Sequence, residues 1–478
     1  MDDVLVVPPF TDFTTEVVPP AGMALLDLNE HLVRRLAEPA RLRAAAARPA
    51  AGPLTALFGR AAAAILEREA YDDAHLRAVG TALGLAADPA VRLAVDGLEL
   101  TEGSPESSRD LLGAARRCEL FAPEVELARE VAAGRRAHVV VDRADQLPAA
   151  FALVEALRAG SPGKRGAGEG VTLCGRLVIE HRGALRRVPE LAGVRWGSWS
   201  PERVIASCWH ATGSARATGS GHAASGPASG SASGAASGVV RWVDGGRPVP
   251  GGGVPWAGRV DAARAAALAP EALGRCRGLT LLVARADFLG TALGMTGASV
   301  DLRRLPAALP PGVPVTCELA VGAPGVTAEA VDESVELLAG GAEGIRLGGL
   351  RPYRMGARAP WAAGEVARLP PDPGHDLRRW AEFDAPGTLR PAEVATLLRR
   401  WTARLPGLLP GRLAACAVTG PAVPGPAWDP CTEIVTGVGP DGRGPGTFAV
   451  NLRSGRFIRL AAGPHVPGHL AGPVRRRP

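Results

Sequence analysis

Between about residues 211 and 238 the chain collapses to glycine, serine, alanine and threonine, as in Ser225-Gly-Pro-Ala-Ser-Gly-Ser-Ala-Ser-Gly-Ala-Ala-Ser-Gly238. Such a stretch has almost nothing to bury and cannot offset the entropy of ordering itself, so it predicts a flexible linker. One continuous core through all 478 residues is thereby excluded, and the length predicts two or three domains. The boundaries that follow are a first domain over 1–210, a linker over 211–254, an α/β domain over 255–370 and a C-terminal α+β region over 371–478.

Outside the linker there is enough to build cores, because 46% of residues are apolar. Glycine and proline make up roughly a fifth of the chain without a Gly-X-Y period, which excludes a collagen-like or wholly disordered chain. The net charge of +6 is carried almost entirely by arginine, with Lys164 the one lysine. These cations are spread rather than clustered among aromatics, and the densest run is Arg475-Arg476-Arg477, so no nucleic-acid partner is expected. The start Met1-Asp2-Asp3 is acidic and no uninterrupted apolar stretch approaches a membrane span, which predicts a cytoplasmic protein without a membrane partner. Cys118, Cys174, Cys208, Cys276, Cys317, Cys416 and Cys431 are odd in number and contain no C-x-x-C, so neither a disulfide framework nor a metal knuckle is expected.

The run from Asp3 to Val7, closed by Pro8-Pro9-Phe10, reads as a buried strand ending in a loop, and Asp27 to Leu83 has helical spacing. Ala137-His-Val-Val-Val-Asp142, a helix over Leu147 to Ala159 and the strand Gly170-Val-Thr-Leu-Cys174-Gly175 form a β–α–β unit, which predicts a doubly wound parallel sheet. After the linker, strands are expected at Gly278–Phe288, Gly312–Ala320 and Ala342–Gly349, with a helix opened at Thr327 before the third. This rhythm predicts an open sheet or part of a TIM-like barrel. The last region reads as one helix from Arg390 to Leu405 and a small antiparallel meander.

Most motif-like fragments have ordinary explanations. Gly437-Val-Gly439-Pro-Asp-Gly442 matches a dinucleotide loop, but turn residues and a strand follow where a helix is required, so a hairpin is expected. His465-Val-Pro-Gly-His469 has zinc-helix spacing, yet Pro467-Gly468 prevents the helix. His375-Asp376 reads as a helix start, and Trp196, Trp199, Trp209, Trp242 and Trp256 as packing beside the linker. Charged groups near the carboxyl ends of parallel strands face ligand crevices in many α/β proteins. On that ground Glu318 and Arg346 are the catalytic candidates, and Asp142 and Gln146 the binding candidates.

The order of these features resembles cobalamin-binding-domain radical S-adenosylmethionine proteins of the type that matures ribosomal peptides. The matching residues are Val4-Leu-Val-Val-Pro8-Pro9-Phe10, Val18-Pro19-Pro20-Ala-Gly22, Asp27-Leu28-Asn29, the stretch from His138 to Ala150, Val171 to Gly175, and Ala320 to Leu350. The resemblance implies a cobalamin-binding-like first domain and adds Pro9 and Gly175 to Asp142 and Gln146 as candidate cofactor contacts. It also suggests S-adenosylmethionine, a 4Fe–4S cluster and cobalamin as cofactors.

The ligand motifs do not accompany the resemblance. The cluster requires three thiolates in a C-x3-C-x2-C spacing, and Cys276 stands alone between Cys208 and Cys317. The cobalamin-ligating D-x-H-x-x-G is missing. If Leu279 to Phe288 is a second barrel strand, the linker stands where the first strand and its cluster loop would be. The helix and strand usual between Gly22 and Asp27 have almost no room. These departures imply a degenerate member without metal, acting as an accessory or peptide-binding protein whose partner is a precursor peptide or an active maturase. The alternatives are an active maturase of the B12-dependent type, another α/β enzyme using Glu318, Arg346 or Asp142, or a shortened chain with an incomplete barrel.

Overall fold

A computed structural model of the chain describes residues 3–10, 12, 14–48, 51–68, 73–94, 97–159, 170–205, 240–244, 248–251, 253–287, 290–341, 345–356, 361, 366–370, 372–405, 431–440 and 442–462. The low-complexity stretch, Lys164, Cys208, Trp209, Phe288, Cys416, the His465–His469 motif and Arg475–Arg477 lie outside the described residues.

In chain order, β1 (Asp3–Val7), β2 (Thr15–Val18) and β3 (Met23–Asp27) lead into α1 (Leu28–Leu36), α2 (Pro39–Ala46), α3 (Pro53–Leu66) and α4 (Asp73–Gly84). A hairpin, β4 (Val91–Ala94) and β5 (Gly97–Leu100), precedes α5 (Ser108–Arg117) and α6 (Ala122–Val131). Then come β6 (Arg136–Val140), α7 (Leu147–Ala159), β7 (Val171–Cys174), α8 (Arg176–Leu185), β8 (Arg195–Trp196) and β9 (Glu202–Ile205). The next segment holds β10 (Arg241–Asp244), β11 (Trp256–Asp261), α9 (Ala262–Ala266), α10 (Pro270–Leu273) and β12 (Cys276–Ala286). It continues with β13 (Thr291–Gly294), β14 (Ser299–Asp301), α11 (Arg304–Ala308), β15 (Val315–Val321), α12 (Ala328–Ala339) and β16 (Ile345–Pro352). Four short strands, β17 (Met355–Gly356), β18 (Ala367–Arg368), β19 (Trp380–Ala381) and β20 (Phe383–Asp384), precede α13 (Pro391–Arg404). The meander is β21 (Thr432–Val438), β22 (Pro445–Asn451) and β23 (Arg456–Ala462).

The architecture is α/β, with a parallel sheet A and a mixed sheet B. Sheet A has the order β3-β1-β6-β7-β8, with every pair parallel. Its central strands β1, β6 and β7 are mostly apolar and buried on both faces. Val4, Val6, Val139 and Leu173 pack with Ala128 of α6, Phe151 and Val154 of α7 and Val178 of α8. Leu5, Val7 and Val140 on the other face meet Phe10, Val17, Cys174 and Trp199. Met23–Asp27 is a full strand of this sheet, while the crossover from β1 contains β2.

Sheet B carries β10, β11, β12, β15 and β16 side by side, parallel and in chain order. Two parallel strands thus precede β12, and the first of them, β10, lies within the 211–254 span read as linker, so Cys276–Ala286 is the third of these parallel strands rather than the second. At the β10 edge, β9 and then β2 add antiparallel. Among the described residues the sheet stays open, since β16 pairs with β15 alone. One face is apolar, with Val260, Leu281, Val283, Cys317, Leu319 and Ile345 against Val331, Val335 and Leu338 of α12. Each such side chain, fully buried, contributes about 1.5–3 kcal/mol.

Local signals set the helices. Thr327 accepts a hydrogen bond from Ala330 N to open α12, and Glu393 accepts from Arg390 N beside Pro391 at the start of α13. The 437–442 stretch is the β21–β22 hairpin, and the meander packs Val435, Phe448 and Val450 on Leu57 and Ala61 of α3. His375 lies in irregular backbone and Asp376 in a turn rather than at a helix start. Asp376 instead accepts from Ser108 N (2.8 Å) and Ser108 Oγ (2.7 Å), at the N-terminus of α5. Among the described residues no helix is long and apolar enough to cross a membrane.

Candidate functional site

The strand order of sheet A reverses at β1, which has β3 on one side and β6 on the other. In open α/β sheets, ligands sit outside the carboxyl ends at such a reversal. Pro9 and Asp142 follow β1 and β6 there, and Gly175 follows β7. Asp142 is fully engaged: Oδ1 accepts from Arg176 N (2.8 Å) and Ser200 Oγ (2.8 Å), and Oδ2 from Arg203 Nε (3.0 Å). Gln146 Oε1 accepts from Asp142 N (2.7 Å) and Arg143 N (3.0 Å), ordering the turn into α7. Gly175 has φ +109°, and a Cβ there would lie 2.6 Å from Val141 O, so glycine is required by the backbone itself.

Arg203 belongs to β9, so the edge of sheet B supplies the cation that closes the crevice of sheet A. Its Nη1 donates to Thr15 Oγ1 (3.2 Å), and its guanidinium lies 5.6 Å from the Phe10 ring centroid. Burial alone would lower its pKa, but the carboxylates of Asp142, Asp12 and Asp27 raise it above the usual guanidinium value. Burial pushes the Asp27 carboxyl up to about 6, although its Oδ1 also accepts from Glu30 N to cap α1.

The second face of sheet B is polar. Parallel register places Asp244, Arg259, Thr280, Thr316 and Arg346 in one row. Two residues beyond Thr316 stands Glu318, 1% exposed. Its Oε2 lies 2.9 Å from Arg259 Nη2 and its Oε1 3.5 Å from Arg351 Nε. The meeting with Arg351 depends on a register shift in β16, where Cys317 faces Leu347 but Glu318 faces Gly349. Skipping Gly348 puts Arg351 opposite Ala320, on the face of Glu318; an unbroken register would turn it into the apolar core. Leu347-Gly348-Gly349 therefore bulges a strand that continues to Pro352.

Glu318 and Arg346, the two catalytic candidates, share this face but form no ion pair among the described residues, and Arg346 is exposed. The partners of Glu318 are Arg259 and Arg351, which sequence reasoning passed over. The available signals were an arginine inside the apolar run of β11 and the Gly-Gly pair before Arg351. Burial raises the thiol pKa of Cys276 to about 11 and of Cys317 to about 12. Among the described residues no group of three or more His, Cys, Asp or Glu is arranged to hold a metal ion. Compared with protein-family models, curated proteins and solved structures, the chain matches none.

Proposed function

We propose that this chain is a binding protein on a radical S-adenosylmethionine-like scaffold, working without a cluster as an accessory or peptide-binding partner in peptide maturation. In this reading sheet A is a doubly wound, cobalamin-domain-like sheet, and the five parallel strands of sheet B are part of a barrel. The 3-1-6-7-8 order of sheet A, which corresponds to the flavodoxin-like order 2-1-3-4-5, supports the first assignment. The chain-order succession of parallel strands supports the second.

The observation that carries a non-catalytic role is the state of the polar groups at both crevices. Asp142 accepts from three donors, and Glu318 is ion-paired with Arg259 with Arg351 beside it, so both carboxylates are engaged by cations of the fold itself. Cys276 and Cys317 are buried thiols that stay protonated near neutral pH, whereas iron requires thiolate. Anaerobic reconstitution with iron and sulfide tests the reading. The expected outcome is no cluster absorption and no cleavage of S-adenosylmethionine, and either signal would overturn it.

A further inference from the structure

The carboxyl end of β16 gathers buried N–H groups that make no hydrogen bond. Arg351 stands one residue before the end of the strand at Pro352, and Tyr353 follows with its ring 5.5 Å from that of Trp361 and 5.8 Å from that of Phe383. Tyr353 Oη donates to Met295 O (2.9 Å), which fixes this aromatic wall. The chain then turns through Arg354 into β17, where Gly356 faces Trp380 of β19 across an antiparallel bridge. Arg379 and Trp380 are held from behind, because their backbone N–H groups both donate to Glu106 Oε1 (3.3 and 3.2 Å).

Arg351 Nε, Trp361 Nε1, Arg379 Nε and Trp380 Nε1 are all buried and make no hydrogen bond. Neither Arg354 nor Arg379 forms an ion pair with a carboxylate among the described residues. Burial lowers the guanidinium pKa of both Arg351 and Arg379; Glu318 and Asp244 act the other way on Arg351, as do Glu106 and Asp145 on Arg379, while Arg259 and Arg354 oppose the first charge and Arg354 and Arg143 the second. An unpaired buried donor costs free energy, and an uncompensated buried cation costs more. Such groups in a native structure call for an explanation, and a bound ion is one that fits arginines. The carboxylates nearby, Glu318 and Glu106, leave these four N–H groups without a hydrogen bond, and the Arg351 side chain, 33% exposed, leaves an approach from solvent.

We propose that Arg351, Arg354, Arg379 and the Trp380 indole form a binding site for an oxyanion, a carboxylate or phosphate group, at the carboxyl end of sheet B. The planar guanidinium groups suit bidentate contact with either anion, and the indoles and Tyr353 offer apolar surface to what carries it. The site is independent of the cluster question, so reconstitution and anion binding can fail separately.

The test is calorimetric titration of the full chain with inorganic pyrophosphate and, separately, with a tetraglutamate peptide, at low and high chloride. Saturable, chloride-sensitive binding of either probe is expected, weakened about tenfold or more by Arg379→Gln and by Arg354→Gln. Pyrophosphate alone assigns a phosphate, and the peptide alone assigns a carboxylate. Both variants should keep the melting temperature without ligand, since Arg354 is exposed and neither arginine forms an ion pair among the described residues. Failure of both probes to saturate at millimolar concentration, or equal binding by wild type and the Arg354→Gln/Arg379→Gln double variant, would overturn the proposal.

Discussion

Asp142 distinguishes a carboxylate kept for a ligand from one kept for the fold. Substituting Asp142→Asn preserves shape and leaves an oxygen to accept from Arg176 N and Ser200 Oγ, so the change falls on Arg203. The two side chains are 6% and 8% exposed, which places the pair among buried ion pairs. Removing one partner of such a pair costs about 3–5 kcal/mol, chiefly because the other charge stays buried. The lower figure already multiplies the unfolded fraction roughly a hundredfold. Arg203→Met should cost a similar amount by stranding Asp142, and the double variant should recover at least about 2 kcal/mol of the sum. Urea midpoints followed by tryptophan fluorescence measure the cycle, and amide exchange at β2 and β9 localises the loss. A cost of Asp142→Asn below about 1 kcal/mol, or zero coupling, would refute the structural assignment and return Asp142 to the ligand reading.

Two further outcomes follow from single atoms. At Gly258 in β11 an added Cβ would lie 2.1 Å from Val243 O on the neighbouring strand, so Gly258→Ala should cost about 3 kcal/mol or more. Gly113→Ala in α5, where nothing lies within 4 Å, should stabilise by about 0.5–1 kcal/mol; similar melting temperatures for the two variants would contradict the packing of β10 on β11. Asp27 titrates near 6 when folded against 3.8 ordinarily, so its protonated form is the one the fold favours. Its contribution is intact below pH 4 and is lost as pH rises to about 6, by at most about 3 kcal/mol. Asp27→Asn keeps the cap on α1 and removes the titration, so the stability difference between variant and wild type should grow over pH 4–6, and a flat difference would refute it.

What the sequence makes legible is local. The Thr327 cap, Pro391, the turn at Gly439–Gly444 and the helix spacing before Leu83 each act within a few residues, and each yields the expected element. β2 and β9 are four residues long and pair with each other across nearly the whole first domain, so nothing in either run announces the partner. The segment around Leu377 is equally non-local: it buries Leu377 in the core of sheet A and caps α5 from far along the chain.

The candidate residues divide along the same line. Glu318 and Asp142 stand out as charges in apolar strands, but whether such a charge faces a ligand or a buried partner depends on strand pairing. Arg203 reaches Asp142 because β9 joins the edge of sheet B, and Arg351 reaches Glu318 because one glycine is skipped in β16. A period-two strand reverses every side chain when its register moves by one residue. Arg351 is therefore the sharper indicator of how this fold is built. If Gly348 were not bulged, its guanidinium would enter the apolar face against α12, and both the ion pair at Glu318 and the oxyanion site would disappear together.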